Sequence, residues 1–180
     1  MAAHSDLRLR NFFAYWYHFV SPYTDAVERG AGDAVAASAC EAGALETYAG
    51  EQFEAICMQW VFKENAHGRL GFLATKFGKW WGGDPLLHEQ VDIDVLAMGA
   101  HGHDMLIGEC KWRNSFDEAE AIATLEHRAD IVARDAKRHY LLFTKRPVSS
   151  GAREKLAKRG DFAVVTSADF LSAREDAREL

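Results

Sequence analysis

Two strand-like segments joined by a short turn constrain the fold of this chain most. Residues 91–97 and 105–112 are runs rich in Val, Ile, Leu and Met, each interrupted by charged side chains. Between them, residues 99–103 contain two glycines and two histidines, a composition typical of the turn of a β-hairpin. We therefore predict a hairpin of two half-buried strands in this part of the chain.

The charged residues of the predicted hairpin fall at one place in it. If Met98 lies opposite Met105, the antiparallel register places Asp94 opposite Glu109. Lys111 shares a face with Glu109, because side chains two residues apart in a strand point the same way. Charge among apolar strand residues is unfavourable unless it is paired or bound to a metal. The pattern therefore indicates a functional site.

The excess of acidic residues is concentrated in the segments around this site. The chain has 180 residues and a net charge of −6, which does not favour a protein that binds nucleic acid over a broad surface. Residues 31–62 carry five acids and no Lys or Arg, and residues 91–112 carry four acids and one Lys. A bound cation would offset part of this charge. The cysteines have no metal-binding spacing, which predicts reduced thiols in a cytosol. We see no signal peptide and no apolar run long enough to span a membrane, so we predict a cytoplasmic protein with no membrane contact.

The remaining periodicities predict an α/β fold with a mixed sheet. An aromatic helix over residues 7–20 is expected to end at Ser21-Pro22, and it suits either core packing or contact with another chain, such as a second copy. A helix over residues 49–63 presents Glu54 at the margin of its apolar stripe. The order α-β-β-β-α-β-α-β then implies an early hairpin followed by helical crossovers. We expect an N-terminal helical segment over residues 1–48 and one domain over residues 49–180.

Three local motifs complete these expectations. Leu70–Phe77 is predicted as a strand, and the run Gly78–Pro85, which contains two adjacent tryptophans, as a loop. Ser115 and Glu118 fit a capping box at the start of the next helix. The histidines of the hairpin turn would form a zinc site only with further ligands such as His88, and a solvated turn is the favoured interpretation.

The site residues carry a family resemblance. Asp94, followed after fourteen residues by Glu109-Cys110-Lys111, resembles the D…(D/E)-x-K signature of the PD-(D/E)XK, restriction-endonuclease-like superfamily. Glu54 matches the usual first acidic position of that superfamily. The closest similarity is to the C-terminal domain of unknown function of archaeal-type (DEXX-box) ATPases. It rests on the aromatic segment at residues 11–23 and on the runs Phe53-Glu54, Phe77-Gly78-Lys79-Trp80-Trp81-Gly82, Asp92-Ile93-Asp94 and Ile107-Gly108-Glu109-Cys110-Lys111-Trp112. Ile93 stands where the superfamily signature has its proline.

The resemblance implies a fold, a reaction and a set of roles. The fold is a restriction-endonuclease-like mixed sheet flanked by helices, with core order α-β-β-β-α-β and an extra N-terminal aromatic helix. The reaction is metal-dependent hydrolysis of DNA. The implied catalytic residues are Glu54, Asp94, Glu109 and Lys111; Mg²⁺ or Mn²⁺ is held by Asp94, Glu109 and the main-chain carbonyl of Cys110; Lys79, Trp81 and Arg113 contact nucleic acid.

The partners and the alternative function follow from the same resemblance. DNA is the expected substrate, and an AAA-type ATPase region, in cis or in trans, is the expected partner, because the chain has no G-x-x-x-x-G-K-[S/T] phosphate loop. Alternatively, the acidic residues and the lysine form a buried ion-pair cluster without turnover. The domain is then an inactive nuclease fold that binds DNA, regulates the ATPase or assembles it into oligomers.

Overall fold

The structure is a computed structural model that describes residues 12–41 and 43–172. Packing of the backbone divides it into two compact units, the first ending at Ala49 and the second beginning at Gly50. The first unit consists of helical turns. They are a π-helical turn at Trp16–Val20, a 3₁₀ turn at Ser21–Tyr23, a short helix α1 at Thr24–Ala26, a second π-helical turn at Val27–Ala31 and helix α2 at Gly32–Glu41.

The aromatic segment differs from its prediction at its C-terminal end. Residues 7–11 of the predicted helix lie outside the described residues. The helical backbone does not end at Ser21-Pro22: Pro22 lies at the start of a 3₁₀ turn, where its missing N–H is tolerated, and helical turns continue beyond it. The interruption comes at Gly30, whose φ of 89° is a conformation that favours glycine.

Helix α3 spans Ala44–Ala66, and its part from Gly50 onward supplies one layer of the second unit. It is longer at both ends than the predicted helix over residues 49–63. Phe53, Cys57 and Val61 are buried on one stripe, as their spacing predicts. Ile56, expected on the same stripe, is 38% exposed, so the buried face is narrower than the pattern indicates.

A five-stranded mixed sheet forms the centre of the second unit, and the α/β prediction is confirmed. Its strands are β1 (Ala74–Gly83), β2 (Gln90–Gly99), β3 (Asp104–Lys111), β4 (Lys137–Thr144) and β5 (Phe162–Thr166), and they lie in that order across the sheet. The first three strands pair antiparallel, whereas β3, β4 and β5 pair parallel. Helix α4 (Glu118–Val132) and helix α5 (Ser150–Ala157) make the two crossovers, and a short helix α6 (Asp169–Ser172) follows β5.

The sheet separates two apolar clusters. One lies between the sheet and α3 and contains Phe53, Val61 and Phe143. The other lies between the opposite face and helices α4 and α5. Leu125 of α4 and Leu156 of α5 pack in this second cluster. Residues of the sheet that point to α3 therefore share an environment distinct from those that point to α4.

Two local predictions in this unit were wrong. The tryptophan run predicted as a loop belongs to β1, because Trp80 and Trp81 pair with Ile93 and Asp92 of β2. The predicted capping box is absent: Asp117, not Ser115, caps α4 and accepts a hydrogen bond of 2.9 Å from the Glu120 N–H. Glu118 instead accepts hydrogen bonds from the backbone and hydroxyl of Ser149, a partner 31 residues away that local spacing does not reveal.

Gly108 of β3 leaves room for the side chains of Val95 on β2 and Phe143 on β4 next to the proposed site residues. A Cβ at Gly108 would lie 2.9 Å from the Cβ of Val95 and 3.3 Å from the Phe143 ring. We expect Gly108→Ala to lower the free energy of unfolding by about 1–3 kcal/mol, because a packed core resists added volume. Urea unfolding measures it. Gly151→Ala, in open space within α5, is the matched control and should not destabilise; equal stabilities for the two variants would contradict the prediction.

Candidate functional site

Asp94 and Glu109 meet where strands β2 and β3 part. Met98 pairs with Met105, as predicted, and the register continues to Val95 opposite Gly108. The next positions in this register are Asp94 and Glu109. At this point a side chain makes the hydrogen bond between the two strands: Asp94 Oδ2 accepts a 2.8 Å hydrogen bond from the Cys110 N–H.

Strand β2 is irregular next to Asp94. Ile93 packs in the cluster on the α4 side, whereas Val95 packs in the cluster on the α3 side. Regular alternation would place both on one face, so the strand is irregular between them, and the pairing with β1 shifts at the same point, between Gly78 and Trp80. Irregularities of this kind redirect a side chain. Asp94 is the residue between Ile93 and Val95, at the irregularity.

Asp94 is the most perturbed carboxylate of the site. Burial, followed by the neighbouring Glu109 carboxylate, raises the pKa of Asp94 to about 7. Glu54 and Asp92 raise it further, whereas the hydrogen bond from Cys110 opposes the rise. The four acidic residues are therefore close enough to interact, and their mutual repulsion makes this end of the sheet favourable for a cation.

Glu109 is buried and lies between two cations. The residue is 5% exposed. Its Oε1 accepts a hydrogen bond of 2.6 Å from Lys111 Nζ, and its Oε2 accepts one of 2.7 Å from Arg128 Nη1. The structure thus brings Glu109 and Lys111 together, as the Glu-x-Lys spacing predicts. Arg128 was not predicted at this place.

Arg128 reaches the site from helix α4. Its Nη2 also lies 3.6 Å from Asp92 Oδ1, and its buried Nε has no partner among the described residues. Its position three residues after the buried Leu125 was the available signal, since residues i and i+3 lie on one side of a helix. An arginine in a buried stripe requires a carboxylate opposite, which points to Glu109 or Asp92.

Glu54 approaches the site from the other side of the sheet, paired with Lys79. Lys79 Nζ donates a hydrogen bond to Glu54 Oε2. This bond raises the pKa of Lys79, and the nearby Asp94 adds to the rise. The structure therefore places Glu54 near the site with its charge offset by Lys79, whose side chain is 55% exposed.

The remaining predicted residues lie around this centre. Cys110 presents its thiol to Cys57 of α3, and the hydrogen bond between them raises the pKa of Cys110, while both stay free thiols. Trp81 is 76% exposed, and Arg113 is also exposed, so both are accessible to a ligand. Within residues 12–41 and 43–172, no three His, Cys, Asp or Glu side chains converge closely enough to hold a metal ion by themselves.

The chain belongs to the DUF234 family, described as archaeal and bacterial proteins of unknown function, whose model matches residues 16–122. The matched region contains Glu54, Asp94, Glu109 and Lys111. The family description assigns no activity to these residues.

One curated relative is an uncharacterized protein of Methanocaldococcus jannaschii. It is 24% identical over 142 residues, which are 78% of this chain and 30% of the relative. The chain thus spans less than a third of that protein. No solved structure matches the chain significantly. Across the described part of the chain, none of the helices has the length and apolar character needed to cross a bilayer.

Proposed function

We propose that residues 50–172 form a PD-(D/E)XK nuclease-like domain that hydrolyses DNA phosphodiesters with Mg²⁺ or Mn²⁺. One observation carries the proposal: Asp94 and Glu109 directly follow Val95 and Gly108, the last pair of β2 and β3, and Lys111 donates a hydrogen bond to Glu109. The order of the elements is the one that the superfamily resemblance implies, with a helix, three antiparallel strands, a crossover helix and a parallel strand.

The donor set fits a hard divalent cation. Mg²⁺ binds one or two carboxylates and keeps several waters, so it does not need three protein carboxylates. Asp94, Glu109 and the carbonyl of Cys110 would hold it. Burial and then the repulsion by Glu109 raise the pKa of Asp94, and that repulsion favours binding of the ion. When bound, the ion would lower the pKa of a coordinated water and neutralise charge on the phosphate.

The side chains around the cation supply the remaining roles. Lys111 orients the attacking water and offsets charge that develops on the phosphoryl oxygens. Arg128 fixes Glu109 through its hydrogen bond of 2.7 Å. Glu54 would complete the surroundings of the cation from the α3 side of the sheet, beside Lys79. Lys79, Trp81 and Arg113 contact the nucleic acid.

A plasmid-nicking assay tests this function. The full chain should nick supercoiled DNA with Mg²⁺ or Mn²⁺ and not with EDTA. We expect Lys111→Ala to reduce the rate about a hundredfold or more, as for loss of a group acting in proton transfer or charge stabilisation. Lys158→Ala is the matched control, because Lys158 forms an exposed ion pair with Glu154 on α5. Equal nicking by the two variants would refute the assignment.

A second function is favoured by the ion pairs themselves. Glu109 and Glu54 already have cationic partners, an arrangement that also suits a domain without turnover. In that case the domain binds DNA or regulates and oligomerises an AAA-type ATPase region, located in cis or in trans, as the resemblance suggests. Calorimetry with Mn²⁺ separates the two: saturable binding that is lost in Asp94→Ala supports the enzyme, and no heat of binding supports the module.

A further inference from the structure

Strand β4 ends in a buried hydroxyl that has no partner. Thr144 is 0% exposed, and its Oγ1 forms no hydrogen bond with any described residue. A hydroxyl removed from water without a hydrogen bond destabilises a folded protein, and native structures contain few such groups. Among the described residues, the one other buried side-chain nitrogen or oxygen in this condition is Nε of Arg128, whose Nη1 binds Glu109. Both atoms therefore point to chemistry that packing alone does not explain.

The threonine on the neighbouring strand shows how this fold satisfies such a group. Thr166 of β5 pairs with Thr144 and is also buried, with 5% exposure. The Thr166 hydroxyl donates a hydrogen bond of 2.7 Å to Asp169 Oδ2, at the start of α6. Two buried threonines thus lie side by side in register, and only the hydroxyl of Thr144 lacks a partner among the described residues. Burial at this end of the sheet does not account for the difference.

The strand register places Thr144 beside Lys111. The two residues are partners in the parallel pairing of β3 and β4, and neighbouring strands lie about 4.8 Å apart. Leu142, two residues before Thr144, packs in the cluster on the α4 side of the sheet, so strand alternation puts Thr144 on that side too. Lys111 lies on the same side, because it binds Glu109, which also binds Arg128 of α4. Thr144 and Lys111 are therefore neighbours on one face of the sheet.

The ammonium group of Lys111 can form more hydrogen bonds than the one it makes to Glu109. It carries three N–H donors, and one of them binds Glu109 Oε1 at 2.6 Å. In the proposed reaction Glu109 offers its oxygens to a cation, which weakens its hold on Lys111. Thr144 Oγ1 has two lone pairs and lies on the adjacent strand, so it can accept the hydrogen bond that Glu109 gives up.

We propose that Thr144 is a positioning residue for Lys111: its hydroxyl accepts a hydrogen bond from the ammonium and holds it toward the phosphate during hydrolysis. The proposal rests on the proposed function and deepens it, because it gives the catalytic lysine a second partner. A neutral hydroxyl leaves the positive charge of Lys111 available to the phosphoryl oxygens, whereas the Glu109 carboxylate offsets it. The unpartnered hydroxyl is then a loss of stability that is retained for function.

Substitutions of similar shape separate this role from packing. Thr144→Val removes the hydroxyl, so we expect a urea midpoint at or above that of the wild type, because no hydrogen bond is lost. The same variant should nick supercoiled plasmid with Mg²⁺ or Mn²⁺ roughly 10- to 150-fold more slowly, the equivalent of one hydrogen bond to a charged group. Thr144→Ser should show the reverse pattern: a lower urea midpoint, since it loses a buried methyl group, and a nicking rate close to that of the wild type.

Thr166→Val is the matched control on the next strand. It deletes a hydroxyl that has a partner, so it should lower the urea midpoint and leave the nicking rate of the folded protein unchanged. A midpoint for Thr144→Val as low as that of Thr166→Val would show that the Thr144 hydroxyl is already satisfied, for example by an internal water, and would overturn the assignment. Nicking by Thr144→Val at the wild-type rate would overturn it as well.

The positioning role and the proposed function fail in different ways. Metal-dependent nicking that is lost in Lys111→Ala but unchanged in Thr144→Val would refute the role of Thr144 alone. A wild-type chain that does not nick DNA with either cation would refute the nuclease function, and the role of Thr144 with it.

Discussion

Glu109→Gln is expected to lower the free energy of unfolding by about 3–5 kcal/mol at neutral pH, the usual effect of removing one partner from a buried ion pair. The glutamine side chain has nearly the same shape and keeps one acceptor oxygen. It removes the negative charge that Lys111 and Arg128 share, and the Arg128 side chain is only 17% exposed. The guanidinium then stays buried with only the more distant Asp92 beside it. Urea unfolding followed by circular dichroism measures the change.

Asp130→Asn is the control for this substitution. Asp130 also pairs with an arginine, Arg138, but the Asp130 side chain is 66% exposed. Water screens such a pair, so we expect a loss of about 1 kcal/mol or less. If Glu109→Gln destabilised no more than Asp130→Asn, Glu109 would not be the buried electrostatic centre of the site.

Asp94→Asn is expected to have the opposite effect, an increase in stability at alkaline pH of roughly 2–4 kcal/mol. The pKa of Asp94 is raised to about 7 in the folded state by burial and by Glu109, above its ordinary value of 3.8. Between these two pH values the folded state binds more protons than the unfolded state at this residue. Stability contributed here is therefore fully present below about pH 4 and is lost as the pH rises through about 7.

Asparagine removes this pH-dependent loss, because it carries no charge at any pH. Its side-chain oxygen can still accept the hydrogen bond from the Cys110 N–H. Thermal unfolding in EDTA at pH 5 and pH 8 should give a difference between variant and wild type that grows with pH. Asp117→Asn, at the exposed cap of α4, is the comparison. A difference that shrinks from pH 5 to pH 8 would contradict the raised pKa.

Local sequence patterns predicted the hairpin and the acidic pair that it carries. Strand alternation and a single assumed register, Met98 opposite Met105, predicted Asp94 opposite Glu109, and the structure keeps that register as far as Val95 opposite Gly108. The reason is physical: two strands joined by a short turn have few registers that keep their apolar side chains buried. The same reasoning placed Lys111 beside Glu109. The register of a tight hairpin was therefore a successful local prediction, whereas the local capping-box and loop predictions failed.

Contacts between distant elements could not be derived in this way. Arg128 is 19 residues from Glu109, and His127 is 43 residues from Asp84. Such pairs depend on how helix α4 docks on the sheet, which no local spacing encodes. The extent of β1 was missed for a related reason, because Gly and Trp at positions 78–83 look like a loop until β2 supplies the pairing strand.

The crossover from β3 to β4 has a consequence for the order in which the molecule folds. The hairpin of β2 and β3 closes through neighbouring residues, whereas α4 must form and dock before Arg128 reaches Glu109. A nascent chain that has made only the hairpin holds Asp94 and Glu109 just beyond the last paired residues of the two strands, with Lys111 bound to Glu109. Acid or added salt weakens their repulsion, so the early stage of folding is expected to be faster in either condition.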